Sequence, residues 1–78
     1  MTKFDKLIQK ILAGKSIITI DEAEKLLLKL DFIAENISGS HITYRKENRS
    51  SVTLVLRDTE LKPYMIKKLY KTLKEEGY

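Results

Sequence analysis

The stretch GSHITYRK, residues 39–46, combines a turn signal with a strand signal and contains the single histidine of the sequence. Its Gly-Ser pair favours a tight turn, because glycine adopts positive φ without steric cost. Ile42 and Tyr44 then alternate with polar residues, which is the period of a half-buried strand. His41 therefore lies at the start of a strand, on the face opposite Ile42. An unperturbed imidazole accepts and donates protons near neutral pH, so His41 is the first candidate for chemistry.

Two more strand patterns flank this one. The three predicted strands are residues 32–37, 41–46 and 51–57. The turn at residues 38–40 joins the first two, and the loop at residues 47–50, with Asn48 suited to positive φ, joins the last two. The third strand should bury Val52, Leu54 and Leu56 on one face. Links this short make the sheet antiparallel.

Two helices are predicted before the strands. Apolar residues at helical spacing indicate the first helix over residues 2–13, with Gly14 as its C-terminal cap. Such a basic amphipathic helix either packs on its own domain, which we favour, or lies on a membrane. Thr19 and Glu22 have the spacing of a capping box, so the second helix should begin near Ile20. Leu28 lies opposite the apolar stripe of that helix, which predicts two packing partners for it.

A third helix follows the strands. Pro63 suits its first position, where a missing N–H costs nothing. The residues predicted to be buried are Met65, Ile66, Leu69, Tyr70 and Leu73. Lys67 and Lys71 lie on the outer face of this helix, and Tyr64 lies on its polar side, where it could stack on a base. The predicted fold is thus α+β, in the order α-α-β-β-β-α, with helices on one face of a three-stranded sheet.

Length and charge restrict the class of protein. The chain has 78 residues, 15 Lys and Arg against 11 Asp and Glu, and no cysteine. One small domain with a net charge of +4 favours a polyanion or an acidic partner. The sequence contains no stretch long enough to span a membrane and no signal peptide pattern, so we expect a cytoplasmic protein. We find no metal-ligand cluster and expect no cofactor.

RNA cleavage fits these residues because RNA carries its own nucleophile, the 2′-hydroxyl. The reaction needs a base, an acid and positive charge around the phosphorus, and it needs no metal. His41 can transfer a proton, and lysines and arginines can supply the charge. The same residues also allow a simpler interpretation, in which the histidine has no role and the lysines form an ordinary solvated face.

At Gly39-Ser40-His41 the chain resembles the HicA family of toxins from bacterial toxin–antitoxin systems. Tyr44 stands in the aromatic position of the family's G-S-H-x-x-aromatic signature. The helix with Leu26, Leu27 and Leu30 resembles the family's opening helix, and the stretch ELKP at residues 60–63 resembles its closing loop. The resemblance covers residues 21–78 and leaves the first helix outside. We therefore divide the single domain, residues 1–78, into a helical extension at 1–15 and a core at 20–78.

The resemblance implies a fold similar to the double-stranded-RNA-binding domain and a metal-independent endoribonuclease that cleaves messenger RNA. His41 would be catalytic, with Gly39 and Ser40 as the turn that supports it. A HicB-like antitoxin would bind and occlude the site. The expected RNA-binding residues are Arg45, Lys46, Lys62, Lys67 and Lys71. The chain departs from the family at Asn36, Ile42 and Tyr64, where many members carry a basic residue, a second histidine and a glycine.

Two other functions remain open from the sequence. One is a catalytically silent module that binds structured RNA through its lysines, and the other is a protein-interaction domain for an acidic partner. The first predicts salt-dependent RNA binding without cleavage. The second predicts no RNA affinity at physiological salt.

Overall fold

The computed structural model describes residues 2–14 and 17–78. Its elements, in chain order, are α1 (Lys3–Ala13), α2 (Ile20–Lys29), β1 (Ile33–Ser38), β2 (His41–Arg45), β3 (Val52–Val55) and α3 (Pro63–Glu75). The three strands form one antiparallel sheet in the order β1-β2-β3. The predicted α+β class and element order are confirmed. Part of the connection predicted at residues 15–19 lies outside the described residues, as do the two ends of the extension predicted at residues 1–15.

Local signals fix the ends of the helices. Thr19 and Glu22 form the predicted capping box at the start of α2. A second box, between Thr2 and Asp5, begins α1. It escaped prediction because aspartate stands where the motif usually has glutamate or glutamine. Gly14 ends α1 with a φ of 71°, a left-handed conformation that favours glycine.

The register of the sheet separates its two faces. Tyr44 is paired with Val52 and is buried, whereas His41 and Arg45 are exposed. We call the side of the sheet that carries His41, Thr43 and Arg45 the open face. The helices cover the other side, where Leu54 is fully buried and α2 packs against β3. The predicted alternation along β2 is therefore confirmed.

A β-bulge interrupts β1. Ala34 pairs with Tyr44 and Asn36 pairs with Thr43, so Glu35 is an extra residue in β1. Since opposite residues of a pair share a face, Asn36 and Ser38 lie on the open face and Ala34 lies on the helix side. After the bulge, the residues of β1 that face the open side change from odd to even positions. The loosely alternating sequence of β1 did not reveal this change, which only the pairing with β2 shows.

The core lies between the sheet and the helices and extends under α1. Leu7, Ile8 and Ile11 of α1 are buried, which confirms the interpretation of α1 as a helix packed on its own domain. α1 packs against both α2 and α3. The remaining buried apolar residues are Ile18, Ile20, Ala23, Leu26, Leu27, Leu30, Phe32, Tyr44, Val52, Leu54, Leu61, Leu69 and Leu73.

Three predicted burials are wrong. Leu56 is 43% exposed because β3 ends at Val55 and the chain turns there. Tyr70 is 41% exposed, and Thr72 takes a buried position on α3, with its hydroxyl donating to the Lys68 carbonyl at 3.0 Å. Leu28 is 51% exposed, so the second packing partner expected for α2 is not found on that side among the described residues.

Candidate active site on the open face

His41 follows a two-residue turn that sets its position. Ser38 and His41 are paired across the turn, and Gly39 and Ser40 are its central residues. Gly39 has a φ of 59°, and a Cβ there would meet no atom within 4 Å. Glycine is therefore favoured here because it adopts a positive φ easily, as at the first central position of a type II′ hairpin turn, and not because a larger side chain would clash.

A second contact holds this turn from the other edge of the sheet. The amide of Leu56 donates to the carbonyl of Ser40 at 2.6 Å, just after β3 ends. His41 itself is paired with Val55 on β3 and with Ser38 on β1. The imidazole thus projects from the end of a central strand whose backbone is held on both sides, and the side chain is exposed to solvent.

Polar side chains continue along the open face from His41. Thr43 lies two residues further along β2, and its hydroxyl is 3.1 Å from the hydroxyl of Thr53. Asn36 is paired with Thr43 from the other side, so the three residues form a row across the sheet. The sequence alone does not reveal this row, because the bulge at Glu35 decides which face Asn36 occupies.

Arg45 shares the open face with His41 but stands well apart from it. Four residues along a strand correspond to about 13 Å between Cα atoms. Its guanidinium Nε is 3.5 Å from a carboxylate oxygen of Glu35, and both side chains are more than half exposed. Such a pair contributes at most about 1 kcal/mol, so Arg45 can exchange Glu35 for a phosphate at little cost.

Lys46 lies on the helix side of the sheet, away from the open face. Its ammonium is 2.7 Å from one carboxylate oxygen of Glu76, and the guanidinium Nε of Arg49 is 2.7 Å from the other. Arg49 also donates to the carbonyl of Glu75 at 2.9 Å. These contacts fix the β2–β3 loop to the end of α3. Lys46, which we predicted to bind RNA, is thus engaged within the protein.

Replacing Glu76 by glutamine should lower the free energy of unfolding by about 2 kcal/mol at pH 7, since the amide oxygen can accept from only one of the two cations and the NH₂ group then faces the other. The hydrogen bond from Lys46 is the main reason that the pKa of Glu76 lies below its usual value. This contribution to stability is therefore complete above the unfolded pKa of about 4.3 and is lost as the pH falls through the lower folded pKa. Urea unfolding from pH 7 to pH 3 would measure it.

Glu75→Gln is the matched control, because the side chain of Glu75 is exposed and makes no ion pair among the described residues. It should change stability by less than about 0.5 kcal/mol. An equal effect of the two substitutions, or a Glu76→Gln deficit that stays constant down to pH 3, would contradict the role of Glu76.

The three remaining predicted RNA-binding residues belong to the α3 region. Lys62 occupies the N-cap position of α3 without a side-chain capping hydrogen bond, and Lys67 and Lys71 lie one turn apart on the helix. All three are exposed and make no ion pair within residues 2–14 and 17–78. Their ammonium groups are available to an anion, although no contact brings them to His41.

The four tyrosines differ in exposure. Tyr44 is 2% exposed and belongs to the core, where burial and then the nearby Glu24 carboxylate raise the pKa of its phenol. Tyr64 is 62% exposed in the first turn of α3 and keeps its ring available for stacking or for a partner.

Comparison with models of known protein families gives one match. The family model of the HicA toxin of bacterial toxin–antitoxin systems matches residues 20–75, well over half of the sequence. The chain belongs to the HicA toxin family. The match spans α2 to α3 and includes the Gly39-Ser40-His41 turn, whereas α1 precedes it. No curated protein and no solved structure matches this HicA-family toxin.

Membership of a toxin–antitoxin family implies an antitoxin as partner. Within the described ranges, no helix of this HicA-family toxin is long and apolar enough to cross a membrane. The same residues bring no three His, Asp or Glu side chains together in a way that could hold a metal ion.

Proposed function

We propose that this toxin is a metal-independent endoribonuclease of the cytoplasm that cleaves messenger RNA and uses His41 for proton transfer. The observation that carries the proposal is the position of His41 in a HicA-family chain. It is exposed at the end of a central strand, on a sheet face that the helices leave open. An RNA strand can reach the imidazole there without any movement of the helices.

The chemistry requires two proton transfers. The 2′-hydroxyl loses its proton and attacks the adjacent phosphorus, and the bond to the 5′-oxygen breaks as that oxygen gains a proton. The products are a 2′,3′-cyclic phosphate and a free 5′-hydroxyl. We assign the first transfer to His41, which is the only imidazole in the sequence. Water can supply the second.

Positive charge would hold the phosphates and offset the charge that develops at phosphorus. Arg45 shares the open face with His41, and we assign Lys62, Lys67 and Lys71 to more distant phosphates, since all three are exposed. Lys46 is the weakest of the predicted contacts, because binding RNA would cost its ion pair with Glu76.

The test is degradation of a long RNA by the purified toxin in the presence of EDTA. Cleavage should continue without metal and leave cyclic phosphate ends. Affinity should fall as salt rises, because phosphate contacts release counterions. Cleavage that occurs only with added metal would contradict the proposal.

The partner would be a HicB-like antitoxin that covers the open face around His41 and the lysines of α3. Acidic residues on the antitoxin would match these lysines and would mainly raise the association rate. Exposed charge pairs contribute little each, so tight binding should depend on a few buried anchors. Tyr64, with its large exposed ring, is the candidate anchor on this surface.

Replacing Tyr64 by alanine should therefore weaken antitoxin binding by tenfold or more, because an aromatic anchor loses about 1.5 kcal/mol or more when truncated. Lys74→Ala should change the dissociation constant by less than threefold. Titration calorimetry of toxin and antitoxin would measure both. If the two substitutions have the same small effect, Tyr64 is not an anchor.

A further inference from the structure

Strand β1 leaves one edge of the sheet without a partner. Among residues 2–14 and 17–78, β1 pairs with β2 alone, and all six of its residues are exposed. Proteins usually protect such edges with charged side chains, above all lysine, with proline, with β-bulges or with a covering segment. The sequence of β1, IAENIS, has neither lysine nor proline, and its one charge and its one bulge both fall at Glu35, between the two isoleucines. The geometry of this edge suits an extended segment that adds a fourth strand.

Two isoleucines give such a segment apolar contacts on both faces of the sheet. Ile33 is paired with Arg45 on the open face and is 69% exposed. Ile37 is paired with Ile42 on the helix side and is 68% exposed, so the helices do not cover it. Side chains that alternate along an added strand would pack beside both isoleucines.

The charge around Ile33 is opposite in sign to that of the whole chain. A shallow hollow beside it is lined by Asp31, Ile33, Glu35, Arg45, Lys46 and Glu47. Arg45 faces Glu35, and Lys46 is paired with Glu76, so Asp31 and Glu47 remain in excess. The chain as a whole carries +4. A segment that binds here should carry a lysine or arginine at this end.

The other end of the edge adjoins the candidate active site. Ser38, the last residue of β1, is paired with His41. A strand added outside β1 would lie two strand spacings, about 10 Å, from β2. Residues that follow such a strand can therefore reach over His41 and exclude RNA.

We propose that the free edge of β1 binds an extended segment of the antitoxin. The segment pairs with β1 through its backbone, places apolar side chains beside Ile33 and Ile37, and places a basic side chain between Asp31 and Glu47. The inference rests on the antitoxin partner of the proposed function and does not depend on RNA cleavage.

The test uses the full toxin and its HicB-like antitoxin. Ile37→Lys should weaken binding by about 30-fold or more, as expected for a central anchor. Leu28→Lys is the matched control, because Leu28 is also an exposed apolar residue but lies on α2. It should change the dissociation constant by less than threefold. In the wild-type complex, amide hydrogens of residues 33–38 should exchange at least tenfold more slowly than in the free toxin.

Several outcomes would overturn this inference. They are equal binding by both variants, unchanged exchange over residues 33–38, and a dimer of the free toxin that Ile37→Lys separates, which would assign the edge to a second copy. Cleavage of RNA is measured in parallel. If the wild type does not cleave RNA while Ile37→Lys still loses the antitoxin, the proposed nuclease function fails and the assignment of this edge stands.

Discussion

Replacing His41 by alanine is expected to abolish RNA cleavage and toxicity while the fold stays intact. One proton-transfer residue contributes about 10²–10⁴ to the rate, and no second imidazole is present to replace it. The side chain is exposed and makes no hydrogen bond or ion pair among the described residues, so its loss should change stability by less than about 0.5 kcal/mol. Initial rates on a long RNA in EDTA, with circular dichroism and thermal unfolding, would measure both effects.

Ser51→Ala provides the matched control. Ser51 is also exposed and adjoins the same sheet, but it precedes β3 and so lies at the end of the sheet away from His41. Its cleavage rate should stay within twofold of the wild type. Equal cleavage by wild type and His41→Ala would contradict the catalytic assignment. Salt-dependent RNA binding without cleavage by the wild type would instead indicate a silent RNA-binding module.

The sequence predicted those parts of the fold that depend on near neighbours. Pro63 starts α3, Gly14 ends α1, and Asn48 adopts a φ of 63° in the β2–β3 loop. Each of these residues acts through its own backbone preference, which does not depend on the rest of the chain. The alternation along β2 likewise predicted the exposed position of His41, because side chains change face at every residue of a strand.

The errors concern residues whose environment is set by distant parts of the chain. Leu56 continues the alternation of β3, yet the chain turns after Val55, where the Leu56 amide bonds to Ser40. Tyr70 has helical spacing that suits burial, and Leu28 was expected to have a second packing partner, yet both side chains are more than 40% exposed. Periodicity shows which side of a helix or strand is apolar, but it does not show how far along that side the neighbouring elements cover it.

The polar and charged residues near the candidate site likewise depend on contacts that are distant in sequence. Lys46 looked available for RNA because its partner Glu76 is 30 residues away in sequence. The row of Asn36, Thr43 and Thr53 was missed because it spans three strands and depends on the bulge in β1. The sequence alone singled out His41 as the candidate residue, whereas the position of its polar neighbours required the register of the sheet.

Helix α1 lies outside the residues that match the family, yet it belongs to the same core. Ile11 is fully buried, and α1 packs against both α2 and α3. Lys10 and Glu22 add an ion pair of 3.3 Å between α1 and α2, and the ammonium of Lys29 is 5.7 Å from the centre of the Phe4 ring. These contacts indicate that the family core depends on α1 for stability in this chain.

Replacing Ile11 by alanine should therefore lower the free energy of unfolding by about 3 kcal/mol, through lost burial and the cavity left behind. The total free energy of unfolding of a domain of this size is only about 4–12 kcal/mol. A loss of about 3 kcal/mol should lower the melting temperature by about 12–24 °C. Gln9→Ala on the exposed side of α1 is the control and should change stability by less than about 0.5 kcal/mol. Urea unfolding of both variants would measure the difference. A loss below about 1 kcal/mol for Ile11→Ala would show that α1 is a dispensable addition, and RNA cleavage by a chain without α1 would then match the wild type.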